Sequence, residues 1–419
     1  MATDSEAPKY NKDELTPPDF LNEEYFRKVL QKDENDEALT ITDFKMIPGT
    51  KPGDHFASIM FKAIISYTTK GRKVLERSLV VKTMPIEDGL KKDLLNEMPI
   101  FEREIKMYTK VLPEMKRIME SIGDFENIAP RLIYHNAEPP VVIFEDISKA
   151  GFSMHADLFN FENTVKILKK LAKFHALSFY INDNKYSNNL NLPECTGIFL
   201  NEKSIGKLQV FFAGLGVLKN IMKEWPGYEE IVEKIDKLIP KFTQKLLDVY
   251  KPTPEPGFNV LCHGDFHLRN MMFKMNGQDI NETTFLDFQL CFWAPPAIDL
   301  FYVLYLLGNV EVRDRQNEVL MIYHTELTDY LSRLGCLRQG PSLLDLNIDM
   351  LKLGNMEILL GMCFLPAFCL DPADMDLEAL GDPSAESIDT YYNMVYKNPK
   401  IVEILKKIIN SLALKGMLD

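Results

Sequence analysis

The order of apolar patterns along the chain predicts an α+β protein of two lobes, a small β-rich one first and a larger, mainly helical one after it. Three observations carry that expectation. Short runs of alternating apolar and polar residues fill the first third, helical spacing governs from Phe161 onward, and one β-type interlude, Val260 to Phe292, interrupts the helical part.

Residues 1–37 are polar and place Pro17-Pro18 ahead of a helix-like stretch from Leu21 to Leu30. The β-type runs Thr40 to Met46, His55 to Thr68 and Arg77 to Thr83 follow, separated by turn chemistry at Pro48-Gly49 and Lys70-Gly71. A helix is expected over Leu94 to Leu112 and is read as stopped by Pro113, which lacks the N–H a helix interior needs. Two further strands, Arg131 to His135 and Val141 to Phe144, flank Glu138-Pro139-Pro140. Beyond them Val165, Leu168, Leu171, Ala172, His175 and Phe179 recur at helical spacing. The reading is therefore a leading segment over 1–37, a first lobe over 38–147 and a second over 148–419. Asp371 to Ser387 carries six acids and no base and reads as an exposed loop.

With 419 residues, 46% of them hydrophobic and 26% charged, the chain can bury a large core without disulfide or metal staples. Its six cysteines show no C-x-x-C spacing, which favours a reducing compartment. The net charge of −13 repels phosphate backbones, so nucleic-acid binding and a basic membrane-docking face are excluded as leading readings. The acidic N-terminus lacks signal-peptide character, and the longest apolar run, Ile358 to Leu370, contains Pro366 and is too short to span a bilayer. The expectation is a soluble, cytoplasmic protein. No motif identifies a protein partner.

Chemistry concentrates in His263-Gly264-Asp265-Phe266-His267-Leu268-Arg269-Asn270, followed by Phe285-Leu286-Asp287-Phe288-Gln289. Phosphoryl transfer needs one carboxylate to direct the attacking hydroxyl and two oxygen ligands to hold Mg²⁺ against a triphosphate. A loop Asp, an Asn five residues later and an Asp in the next strand-like run supply that set, and the catalytic loop of kinases has the same Asp-to-Asn spacing. The competing reading is a polar turn between two strands. His263 and His267 read individually as structural, with His263 bracing the loop and His267 orienting the neighbourhood of Asp265 or Asp287.

These residues, with Val142 to Ile147, Leu171 to Ala176 and Pro295-Pro296-Ala297-Ile298-Asp299-Leu300, make the chain resemble the choline-kinase-like family that contains the insect ecdysteroid kinases. The resemblance runs from about residue 40 to about 400 and implies a bilobal, protein-kinase-like fold. It implies Asp265 as catalytic base, Asn270 and Asp287 as Mg²⁺ ligands, and Lys82 on the α- and β-phosphates of ATP. Phe101-Glu102-Arg103-Glu104-Ile105-Lys106-Met107-Tyr108 is similar to the family's F-x-x-E-x-x-x-Y helix, which selects Glu104 as the partner of Lys82, with Glu102 as the fallback. Glu145 and Ile147 fall at the lobe junction, where main-chain groups are expected to meet adenine with the side chains dispensable. Asp299 reads as a tie between the catalytic loop and the next helix, or as a simple N-cap. The loop from Pro48 to Ser58 departs from the pattern, with two glycines and no G-x-G-x-x-G; its amides and Ser58 would cover phosphates, or it is an ordinary hairpin.

Asp287 and Asp299 stand only 12 residues apart, leaving no room for a peptide-docking activation segment, and Gly264 replaces the Arg of H-R-D. A small alcohol is therefore the expected acceptor. The form Asp287-Phe288-Gln289 tilts the resemblance toward an ecdysteroid or similar lipophilic alcohol. A choline- or ethanolamine-type kinase is the runner-up. A catalytically silent kinase-fold protein that binds a hormone or xenobiotic is the reading from another class.

Overall fold

Five strands, β1 (Thr40–Pro48), β2 (Ile59–Thr68), β3 (Val74–Thr83), β4 (Leu132–Ala137) and β5 (Pro140–Glu145), pair antiparallel in the order β1-β2-β3-β5-β4 in the computed structural model. The structure describes residues 15–49, 58–71, 73–85, 98–183, 190–206, 210–254, 257–370 and 385–419, together with 92 and 95. Period-two alternation gives the sheet two different faces. Phe61, Ala63 and Ile65 of β2, Leu79 and Val81 of β3, and Val141 and Ile143 of β5 share one face. On it lies α1 (Glu23–Asp33), which buries Phe26, Val29 and Leu30. Asn22 caps this helix by accepting from the Tyr25 N–H, and Asp33 at its end takes Arg77 and Arg131, each at 2.8 Å. The other face presents Val80, Lys82, Val142 and Phe144. Val142 and Phe144 belong to the core that continues into the helical lobe.

Pro113 does not stop the helix that follows. The segment α2 (Ile100–Lys106) passes through a π turn, Met107–Val111, into α3 (Leu112–Ser121). The Leu112 N–H reaches back five residues to the Met107 carbonyl, so Pro113 enters near the start of a new α register, where its missing N–H costs little. The proline is absorbed by one widened turn.

The second lobe is built on α4 (Phe161–Asp183), α5 (Val210–Met222) and α6 (Glu229–Val249). Four short strands follow, β6 (Val260–Cys262), β7 (Met271–Asn276), β8 (Asp279–Phe285) and β9 (Phe292–Ala294), paired β6 with β9 and β7 with β8. These are the interlude expected from the sequence, and the loops 263–270 and 286–291 lie between their ends. The remaining helices are α7 (Ala297–Tyr302), α8 (Val310–Asp314), α9 (Gln316–Arg333), α10 (Leu343–Lys352), α11 (Gly354–Ile358), α12 (Leu365–Phe368), α13 (Ala385–Tyr396) and α14 (Pro399–Leu414). Of the acidic run read as a loop, 371–384 lies outside the described residues, while its last three residues open α13. No single described helix is long and apolar enough to cross a membrane; the pair Leu343–Lys352 and Gly354–Phe368, bent by 60°, passes by length and composition only.

Phe26 is fully buried between α1 and the sheet, with its ring 5.3 Å from that of Phe44. Phe26→Ala should cost the sheet lobe about 3–5 kcal/mol, read as a lower urea midpoint and faster amide exchange in β2 and β3.

Candidate active site

Lys82 sits near the end of β3, between Met60 of β2 and Val142 of β5, on the face turned away from α1. Its side chain is 4% exposed, so its ammonium must find partners inside the protein. Nζ lies 2.7 Å from Glu104 Oε2, donates to Asp287 Oδ1 at 2.6 Å and reaches Gln289 Oε1 at 3.1 Å. Burial alone would lower the ammonium's pKa, but the Asp287 and Glu104 carboxylates outweigh it and hold it above the ordinary value. Glu104 moves up instead, mainly through burial, with Lys82 opposing and Asp287 adding to the rise. Helical geometry explains the choice between the two glutamates: Glu104 is on the buried face of α2 and Glu102 on the exposed one.

Several contacts seat α2 against the loop after β8. Arg103 Nη1 donates to the Cys291 carbonyl, and the Tyr108 ring packs on Phe144 at 4.7 Å and edge-on to Phe288 at 5.6 Å. Asp287 takes a left-handed backbone (φ 60°, ψ 59°), which aspartate tolerates better than most residues. Gln289 Nε2 donates to Asp287 Oδ2 at 3.2 Å, fixing the carboxylate from the far side.

The loop 263–270 faces this cluster. Leu286 N–H donates to the Asn270 carbonyl at 2.9 Å and His263 Nε2 to the Leu286 carbonyl at 2.8 Å, so the two loops are tied at both ends. Asn270 Nδ2 donates to Asp265 Oδ2 at 2.9 Å, and His267 Nε2 stands 3.3 Å from Asp265 Oδ1. Burial would raise the Asp265 carboxyl, yet His267, His263 and Asn270 together hold it below its ordinary value. Gly264 has φ +80°, and a Cβ there would meet the Leu290 carbonyl oxygen at 2.4 Å. The glycine that stands in place of an arginine is therefore required by the close passage of the two loops.

Asp299 anchors the loop from below. Its carboxylate accepts from the His263 N–H at 2.6 Å and the Gly264 N–H at 3.0 Å, and His175 Nε2 lies 3.0 Å from the same group. It ties the 263–270 loop to α7 and does not cap its own helix. Cys262, His175 and Asp299 bring donor atoms within 4.8 Å of one another. That cluster is already satisfied: His175 Nδ1 pairs with Tyr323 Oη at 2.7 Å, and burial pushes the Cys262 thiol far above its ordinary pKa, which disfavours a thiolate ligand.

At the lobe junction the side chain of Asp146 is fully used. Its Oδ2 accepts from Ser78 Oγ at 2.7 Å and Lys62 Nζ at 3.2 Å, and its Oδ1 from Ser148 Oγ at 2.6 Å and Ser148 N–H at 3.1 Å. The linker is thus bolted to β2 and β3. Ile147 opens a 3-10 turn, so its N–H has no partner within that turn, and Glu145 and Ile147 are both half-buried. Ser58, at the head of β2, is buried, whereas residues 50–57 of the glycine-poor loop lie outside the described residues.

The structure therefore brings Lys82, Glu104 and Asp287 into contact and sets Asp265 with Asn270 beside them. Sequence reasoning gave no side-chain role to Gln289, Arg103 or Asp146. Gln289 was legible as a polar residue in an apolar run; Asp146 was not, because its partners lie 68 and 84 residues away.

Ser148, Ser78 and Lys62 outweigh burial at Asp146 and hold its carboxyl below the ordinary value. A depressed carboxyl contributes stability that is present above its unfolded pKa and lost as pH falls through the folded one. Asp146→Asn should therefore lower the melting temperature at pH 7, and its gap to the parent should shrink once pH drops below about 3.9.

The chain is similar to choline kinase from Cryptosporidium parvum Iowa II, with 13% identity over 93% of this chain and 98% of that one and a TM-score of 0.42. It is also similar to an ethanolamine kinase from Plasmodium vivax (14% identity, 94% and 91% coverage, TM-score 0.41). The GDP complex of aminoglycoside 2'-phosphotransferase-IIIa matches at 13% identity, 93% and 99% coverage and a TM-score of 0.39. No curated protein sequence matches the chain. Residues 52–336, more than half of the chain and the stretch from before Lys82 to beyond Asp299, match the ecdysteroid kinase-like family, and the chain belongs to that family.

Proposed function

We propose that the protein is an ATP- and Mg²⁺-dependent kinase that phosphorylates a hydroxyl of an ecdysteroid or a similar lipophilic alcohol. The observation that carries this reading is the buried Lys82 held between Glu104 and Asp287, with Asp265 and Asn270 on the adjoining loop. Phosphoryl transfer uses each member of this set.

Lys82 is the group for the α- and β-phosphates, and Glu104 keeps its ammonium in place. The Glu145–Ile147 main chain meets the adenine edge, with the Ile147 N–H as donor, and Ser58 lies where the loop before β2 would cover the phosphates. Asn270 turns its amide nitrogen to Asp265, leaving the amide oxygen for a cation, and Asp287 offers carboxylate oxygens; both are the hard donors Mg²⁺ takes. When bound, Mg²⁺ neutralises charge on the transferred phosphoryl group. Asp265, ionised at neutral pH, accepts a hydrogen bond from the acceptor hydroxyl and directs it in line. His267 and Asn270 fix the orientation of that carboxylate.

Incubating purified protein with γ-labelled ATP, Mg²⁺ and a panel of ecdysteroids, sterols, choline and ethanolamine tests the proposal. Label should enter a steroid product, Asp265→Asn should slow transfer by about 10²-fold or more with MgATP binding kept, and Asp287→Ala should abolish Mg²⁺-dependent transfer. Label in choline alone would overturn the acceptor class. Full turnover by Asp265→Asn would overturn its role.

A further inference from the structure

Behind the linker a cleft of about 1030 Å³ opens between the two lobes. Its walls come from α3, the 125–132 stretch, the linker with Ala150 and Phe152, α4 and the β7–β8 pair. Lys82, Asp265, Asn270 and Asp287 do not line it, whereas Tyr108, Glu145 and Ile147, the last two at the linker, do. A volume of this size at a lobe junction is what a steroid- or drug-sized ligand needs.

The chemistry of the walls has two parts. Leu112, Met119, Ile128 and Ile280 supply an apolar floor, and Phe125 stands at its edge with 76% of its surface exposed. The exposed ring extends the apolar floor to the mouth of the cleft. The charged lining is five bases against three acids, on a chain whose net charge is −13. Two of the bases are spent: Arg131 is held by both oxygens of Asp33, and Lys170 by Glu126 and the carbonyls of Asn127 and Thr283. The other three are held loosely. Lys116 is 3.9 Å from Glu120, Lys166 is 3.9 Å from Asp279 with one bond of 2.9 Å to the Ile280 carbonyl, and Lys274 is 3.3 Å from Glu282. Exposed pairs of that length contribute about 1 kcal/mol at most and yield readily to a better anion. Of the three lining acids, Glu126 is neutralised by Lys170 and Lys173 at 3.1 and 2.9 Å.

We propose that this cleft is a second ligand site, which takes a small amphipathic anion: a flat or elongated apolar body on the Leu112–Phe125–Ile128 floor with one sulfate-, phosphate- or carboxylate-type group among Lys116, Lys166 and Lys274. The ligand would rest on α3, which continues through the π turn from the α2 segment that carries Glu104, and on the linker that carries Ile147.

The test is a fluorescence titration of the full chain with 1-anilinonaphthalene-8-sulfonate and with its uncharged parent, N-phenyl-1-naphthylamine. The sulfonate should bind saturably at one equivalent and about tenfold tighter than the neutral probe. A Lys116→Glu, Lys274→Glu double variant should erase that difference, and Phe125→Asp should weaken both probes by about tenfold, each with an unchanged melting curve. Equal affinity of the two probes for the parent protein would overturn the anion subsite. Affinities indifferent to these substitutions would overturn the location. Both readouts are binding, so they stand or fall apart from the transfer reaction.

Discussion

A lysine ammonium shut away from water cannot be left without counter-charge, and in this protein that one requirement arranges the site. Breaking a buried ion pair by removing one partner costs several kcal/mol, so the β3 strand, α2 and the loop after β8 can pack together only if Lys82, Glu104 and Asp287 meet. The surrounding geometry follows from that meeting. The π turn lets α2 continue past Pro113, Arg103 and Tyr108 dock it on the loop, and Gln289 and a left-handed backbone aim Asp287 inward. Under the proposed function, the same cluster would exchange its internal ammonium–carboxylate contacts for a nucleotide's charges.

A second layer of satisfied polar groups keeps the neighbouring loop rigid. Asp299 takes two successive loop N–H groups and is itself held by His175, which is held by Tyr323. Gly264 is forced by the close passage of the Leu290 carbonyl. Asp265 is therefore presented by a loop that has little freedom to relax, with His267 and Asn270 setting its orientation and keeping it ionised. Such preorganisation lowers the reorganisation a reaction must otherwise supply.

Much of this was legible along the chain, and for physical reasons. The apolar residues flanking Lys82 in Leu79-Val80-Val81-Lys82 marked an inner strand. Glu104 was selected over Glu102 by resemblance to the family's F-x-x-E-x-x-x-Y helix, and the buried helical face on which the structure puts it gives the physical reason. Asp265, Asn270 and Asp287 stood out because short-range spacing encodes a loop and the strand after it. What stayed hidden depends on distant pairings or on backbone adjustments with no sequence mark. Pro113 reads as a stop by local rules, and only the packing of Tyr108 and Val111 shows why the helix widens and continues. Asp146 looks like an ordinary turn residue until β2 and β3 bring Lys62 and Ser78 to it. The cleft behind the linker likewise exists only where elements from both lobes converge.

The central claim is that Lys82 holds its carboxylate partners until nucleotide charge replaces one of them. A crystal structure with Mg²⁺ and a non-hydrolysable ATP analogue tests it most directly. The account predicts that Glu104 keeps its contact with Lys82 while Asp287 leaves the ammonium for the cation, with the phosphates taking its place. A nucleotide bound elsewhere, or seated there with the Lys82–Asp287 pair intact, would contradict it.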